Sequence, residues 1–152
     1  MAKAEIRRIV MDMVDENCYV VYKDGRGVIV DPGEGFDRIQ KAVEELNVKI
    51  EAILLTHAHF DHIMSLDECR KHYEVPVYIS GYERDWLQNP DFNGSTLFRL
   101  RRPPMTDPAE FEFEENKKYE IYQGKWDTYR VNNFLKSMYI RLSCANLSHF
   151  IK

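Results

Sequence analysis

"LLTHAHFDHIMS", Leu54 to Ser65, runs from the end of a short apolar stretch into three histidines and one aspartate within six residues. The chain has five histidines in all, so three of them between His57 and His62 make a constellation, not scatter. The stretch that leads in, "IEAILLT" from Ile50 to Thr56, is apolar with polar flanks, the pattern of a strand buried on both faces. The cluster therefore begins at a strand's C-terminal end.

Zinc takes neutral imidazole nitrogen and carboxylate oxygen, provided the ligands converge without prohibitive backbone strain. His57 and His59, two residues apart in an extended loop, can point the same way, while Asp61 and His62, one turn further on, can face a second ion. Two metals about 3.5 to 4 Å apart lower the pKa of a bridging hydroxide toward ~7 and polarise a carbonyl or phosphoryl oxygen. Such chemistry is hydrolysis.

Working outward, Ile6 to Met13 and Cys18 to Tyr22 are β-prone, and "KDGRG" (Lys23 to Gly27) supplies Asp-Gly turn chemistry before "VIVDPG". A β-meander is expected. Phe36, Ile39, Val43 and Leu46 fall at helical spacing with a polar opposite face, which predicts an amphipathic helix covering a sheet. "SLDECRKHY" reads as a helix capped by Ser65, "VPVYIS" from Val75 as a strand, and part of Tyr82 to Gln88 as a further helix. Beyond Asn89, turn and breaker residues predict a long loop, with a strand only at "KYEIY", Lys118 to Tyr122. In the tail, Leu135, Met138, Tyr139 and Leu142 sit at helical spacing.

A chain of 152 residues, 44% apolar and 30% charged, suits one globular domain. Its net charge of -4 provides no basic field for nucleic acid or an anionic membrane. No apolar run approaches the length of a membrane span, and the start has no signal-peptide core, so a cytoplasmic location is expected. Cys18, Cys69 and Cys144 are odd in number and scattered, which points to incidental or buried thiols and away from a disulfide framework.

"THAHFDH" resembles the HxHxDH signature of the metallo-β-lactamase superfamily, and "ENCYVV" (Glu16 to Val21) and "IVDPG" (Ile29 to Gly33) resemble the segments that precede it in the glyoxalase II-like branch. The resemblance implies an α/β fold of the αβ/βα sandwich type, with His57 and His59 on a first metal and Asp61 and His62 on a second. It further implies that Asp61 orients the attacking hydroxide and that Asp31 hydrogen-bonds around the site; taken alone, Asp31 before Pro32-Gly33 reads equally well as a turn residue. Zinc is the implied metal, two ions in a complete site, although iron or manganese accepts the same donors. The substrate would be a small molecule, a thioester or related carbonyl compound attacked by metal-bound hydroxide.

The family's second half supplies three more ligands: a histidine in a TPGH-like loop, a bridging aspartate and a final histidine. His72 lies beside Arg70 and Lys71 on an expected solvated helix face, His149 has no motif around it, and neither Asp107 nor Asp127 has a family context. The chain thus reads as a single domain over 1–152, family-like over 1–130 with a divergent tail over 131–152, holding the N-terminal half of the sandwich. An uncovered apolar sheet face predicts self-association, since large apolar patches rarely persist on monomers. Two functions follow: a glyoxalase II-like hydrolase, or a truncated metal-binding remnant without turnover.

Overall fold

The chain is described by a computed structural model over residues 4–113, except 12 and 14. Among these, six strands form one sheet in sequence order: β1 (Glu5–Val10), β2 (Asn17–Lys23), β3 (Arg26–Val30), β4 (Lys49–Leu54), β5 (Val77–Ser80) and β6 (Phe111–Phe113). β1 to β3 run antiparallel to one another, and β3 to β6 are parallel. The expected meander is therefore β1 to β3. Its hairpin closes through Asp24 and Gly25, both left-handed at φ 52° and 75°, which is what a two-residue primed turn requires. Lys23 consequently pairs with Arg26, and the register is fixed from there to Tyr19 opposite Val30.

Parallel strands need a crossover, and α1 (Phe36–Leu46) supplies the one between β3 and β4. The periodic stripe does bury Ile39, Ala42 and Val43, and the helix stops at Asn47, whose left-handed backbone at φ 51° returns its N–H to the Glu44 carbonyl. β4 lies between two parallel neighbours, and its Ala52, Ile53 and Leu54 are fully buried. Ile53 joins Val20, Ile29, Val77 and Ile79 of the sheet, Ile39 of α1 and Leu66 of a later helix in one apolar cluster.

After β4 come a one-turn helix, α2 (Phe60–Ile63), and then α3 (Leu66–Tyr73). Ser65 holds the cap position of α3, but its side chain makes no capping bond, contrary to expectation. Instead its N–H donates to the Pro32 carbonyl at 3.0 Å and its carbonyl accepts from Cys69 N–H at 2.9 Å, tying the start of α3 to the Asp-Pro-Gly turn. The helix expected within Tyr82 to Gln88 is a 3-10 turn at Arg84–Gln88.

The long loop after Asn89 ends at β6, a strand the sequence reading did not predict. Phe111 stacks on Tyr78 with ring centroids 4.8 Å apart, and Val77 N–H donates to Glu110 Oε2 at 2.7 Å, so side chains reinforce the three-residue pairing of β6 with β5. Cys18 and Cys69 are buried free thiols. No helix among the described residues is long and apolar enough to cross a membrane. The expected strand at Lys118 to Tyr122, the tail helix, Asp127, Cys144, His149 and the segment 131–152 lie outside the described residues.

The topology sets the location of the site. β3, β4 and β5 point the same way, with Val30 beside Leu54 and Leu54 beside Tyr78, so their carboxyl ends share one edge of the sheet. That edge is where open parallel sheets bind ligands. Antiparallel β2 starts at the same edge.

Candidate metal centre

Asp31 follows β3, Thr56 to His62 follow β4, and Glu83 follows β5, which brings three separate loops to the common edge. Thr56 ties the first two together. Its N–H donates to Asp31 Oδ1 at 2.8 Å and its hydroxyl to Asp31 Oδ2 at 2.5 Å. With that proton committed, the Thr56 oxygen, 2.9 Å from His57 Nδ1, is left as an acceptor for the ring N–H. This network assigns His57 the Nδ1–H tautomer and leaves a lone pair on Nε2.

Asp31, His57 and His62 bring ligand-type atoms within 4.8 Å of one another, the kind of grouping that holds a metal ion. The rings of His57 and His62 are 4.0 Å apart by centroid, and His59 lies 4.7 Å from His57 at its outer side. His59 is exposed and faces Trp86, nearly parallel at 6.3 Å. His62 points Nδ1 at two carboxylates, Asp31 Oδ2 at 3.1 Å and Glu16 Oε1 at 3.6 Å, while its Nε2 lies 3.5 Å from Asp61 Oδ2. The structure thus gathers Asp31, His57 and His62 most tightly, with His59 and Asp61 flanking them on the solvent side. His72 is exposed on α3 and pairs edge-on with Phe36, and Asp107 is exposed as well.

The loop is braced from outside. Ala58 N–H donates to Glu83 Oε2 at 3.2 Å, Phe60 N–H to the Asn93 carbonyl at 2.9 Å, and Asn93 is itself buried with its side chain bonded to Ser95 and the Pro104 carbonyl. Such bracing fixes ligand directions before any ion arrives.

Burial dominates the electrostatics. It pushes the His57 imidazole down to about 3, with His62 adding to the fall, so His57 is neutral and able to donate its lone pair. His59 moves down for the same reason, against the pull of Asp61. For His62 burial also acts downward, but Asp31, Asp61 and Glu83 outweigh it and raise the ring above its ordinary value. Burial also raises Glu83, and it drives the Glu16 carboxyl up to about 10, helped by the charges of Asp31 and Asp61. Four acidic side chains gathered around the imidazoles at one sheet edge, with neutral nitrogen donors between them, fit a divalent cation.

Glu16 and Glu83 are the participants that sequence reading missed. The hairpin carries a signal for Glu16. Each step toward the edge moves one residue back on β2 and one forward on β3, and continuing past Tyr19 opposite Val30 brings Glu16 opposite Gly33. A Cβ on Gly33 would run into Glu16 Oε2 and come within 2.6 Å of the Asp61 carbonyl. Gly33→Ala is therefore expected to destabilise the chain by about 1–3 kcal/mol, as overpacking does. Urea denaturation checks it, and an unshifted midpoint would mean the loop yields freely.

Relatives bear on the same residues. A family model described as the metallo-β-lactamase superfamily matches residues 11–131. A probable metallo-hydrolase of Bacillus subtilis (strain 168), YqgX, is 40% identical over 93 residues, covering 61% of this chain and 44% of that protein. A Haemophilus influenzae protein named hydroxyacylglutathione hydrolase GloC is 31% identical over 73 residues, 47% of this chain and 34% of its own length. Among solved structures, the BLEG-1 B3 metallo-β-lactamase superposes with a TM-score of 0.71 at 34% identity, covering 76% of this chain and 56% of that one. The chain spans roughly half or less of each of these relatives. Because the matched region takes in both the Asp-Pro-Gly turn and the histidine loop, on a sheet that superposes with a member of known structure, the chain belongs to the metallo-β-lactamase superfamily.

Proposed function

We propose that the chain serves metal-dependent hydrolysis of a thioester or related carbonyl compound, in the manner of a hydroxyacylglutathione hydrolase. The observation that carries this reading is the convergence of Asp31, His57 and His62 at the carboxyl ends of β3 and β4. Support for the substrate class comes from the Haemophilus relative named for that activity. In this reading His57 and His59 hold one metal, Asp61 and His62 hold a second, and zinc is the ion the donors favour, with iron and manganese accepted by the same residues. A divalent ion bound there supplies Lewis acidity toward a carbonyl oxygen and lowers the pKa of a water toward ~7.

The chain's own residues do the rest. Thr56 passes the hold of Asp31 on to His57 and keeps its Nε2 unprotonated. In this reading Asp61, at 16% side-chain exposure and 3.5 Å from His62 Nε2, accepts a proton from an attacking water and orients it. Trp86, beside His59, walls the site on the side of the 3-10 turn and limits water there.

The test is hydrolysis of a hydroxyacyl-glutathione thioester by zinc-loaded protein. Turnover is expected, and His57→Ala and Asp61→Ala are each expected to reduce it by more than about 100-fold. Folded, zinc-loaded protein that leaves the thioester intact would overturn the thioesterase reading and favour the alternative, a metal-binding chain without turnover.

A further inference from the structure

Glu16 has no part in the activity just described, yet it is among the most confined polar groups of the described structure. It is 5% exposed, and neither of its carboxylate oxygens has a hydrogen-bond partner among the described residues. Burying a carboxyl without partners costs enough that a second role is to be looked for. His62 Nδ1 has the complementary deficit: buried, without an aligned hydrogen-bond partner, and facing Asp31 and Glu16. Asp31 Oδ2 is nearer, at 3.1 Å, but it already accepts the Thr56 hydroxyl and makes no aligned hydrogen bond with Nδ1. Glu16 Oε1, at 3.6 Å, is the facing acceptor that has no hydrogen bond of its own. Closing that gap to ordinary hydrogen-bond length takes a movement of about 0.7 Å, within reach of one side-chain torsion.

We propose that Glu16 is a positioning residue: its Oε1 accepts the Nδ1–H of His62 and so holds the imidazole with Nε2 turned to the metal, in a slot kept open by Gly33. Metal-bound histidines characteristically donate their second ring N–H to a carboxylate or carbonyl, which fixes both tautomer and orientation. Here the supporting acceptor comes from the residue before β2, whereas the motif histidines follow β4, and it reaches the site because β2 runs antiparallel to β3. The inference rests on the metal-hydrolase reading above.

The experiment uses the full chain, labelled with 15N-histidine, and three proteins: wild type, Glu16→Met and Glu16→Gln. Methionine keeps the volume and removes the acceptor, whereas glutamine keeps an acceptor oxygen at the same place. Zinc affinity is read by competition with a chromophoric chelator, and the His62 Nδ1–H by its NMR resonance with and without zinc. Glu16→Met is expected to bind zinc 10- to 100-fold more weakly, on the order seen for removal of supporting partners, and to lose the protected Nδ1–H signal. Glu16→Gln is expected to stay within about threefold of wild type and keep the signal. Equal loss in both variants, or no loss in Glu16→Met, would overturn the proposal. If Glu16→Met does not fold, an unprotected His62 Nδ1–H in wild type or Glu16→Gln overturns it equally. Wild-type protein that binds no zinc would sink the hydrolase reading alone, since the protected proton in the chelated protein still reports on Glu16.

Discussion

Asp31→Ala is expected to destabilise the metal-free chain by about 3–5 kcal/mol, the range for removing one partner of a buried charged network. Asp31 is fully buried, its side chain accepts from Thr56 N–H and the Thr56 hydroxyl, and its charge faces His62 Nδ1 at 3.1 Å. Alanine orphans both Thr56 donors, at about 1–3 kcal/mol for each buried group, and takes the facing charge away from His62. The backbone adds to the loss: Asp31 sits at φ 52°, a left-handed conformation that aspartate and asparagine tolerate better than alanine. Asp31→Asn keeps the backbone preference and one acceptor oxygen, so it should recover part of the stability while still weakening metal binding. Denaturation in the presence of a chelator measures the first effect and zinc titration the second. A loss below about 1 kcal/mol for Asp31→Ala would mean that water or rearrangement satisfies the orphaned groups. In that event Asp31 would not be the hub that its three short side-chain contacts indicate.

The contrast between Asp31 and Glu16 shows what the amino-acid order reveals and what it hides. The candidate ligands His57, His59, Asp61 and His62 fall within six residues, so their chemistry is visible before any fold is known. Asp31 becomes visible through the Pro32-Gly33 turn that follows it. Glu16 and Glu83 join the site only through strand pairing, and a lone glutamate ahead of a strand looks like any solvated residue until the register is counted. Local patterns served well where they were long: the Asp24-Gly25 hairpin, the stripe of α1 and the apolar run of β4 all form as expected. They failed at β6, whose three residues are too few to show alternation and whose partner is 33 positions away across the Tyr78–Phe111 stack. Ser65 is a subtler case. Its residue type favours the cap, but its backbone at φ −106° and ψ 16°, tied through its N–H to the Pro32 carbonyl, lies outside the extended region a capping serine occupies.

The second large effect is a fall in the stability of the metal-free chain as pH rises above about 6.5, traced to Glu16. Its carboxyl is raised from 4.5 to about 10 in the folded chain, so between those values the folded state keeps a proton that the unfolded state releases. Stability from this group is therefore greatest at low pH and declines upward, by as much as about 1.4 kcal/mol per pH unit. His62, also raised, works in the same direction: its contribution is complete below 6.5 and is lost as pH rises through its folded value. His57 opposes both, because its ring falls to about 3 and the unfolded state takes up a proton below 6.5 that the folded state refuses; His59 adds to this. Below 6.5 the opposing slopes largely cancel, and above it Glu16 and His62 act unopposed. Urea denaturation of chelated protein from pH 6.5 to 9 should thus show a loss of about 3 kcal/mol. Glu16→Gln, isosteric with the protonated acid, should remove most of that slope and leave the shallower one of His62. A flat profile in the wild type, or an unchanged slope in Glu16→Gln, would show that the buried carboxyl finds a compensating partner on folding and is not held neutral. Adding zinc should work against the slope, because a cation beside His62 favours the ionised acid and binds more tightly as protons leave.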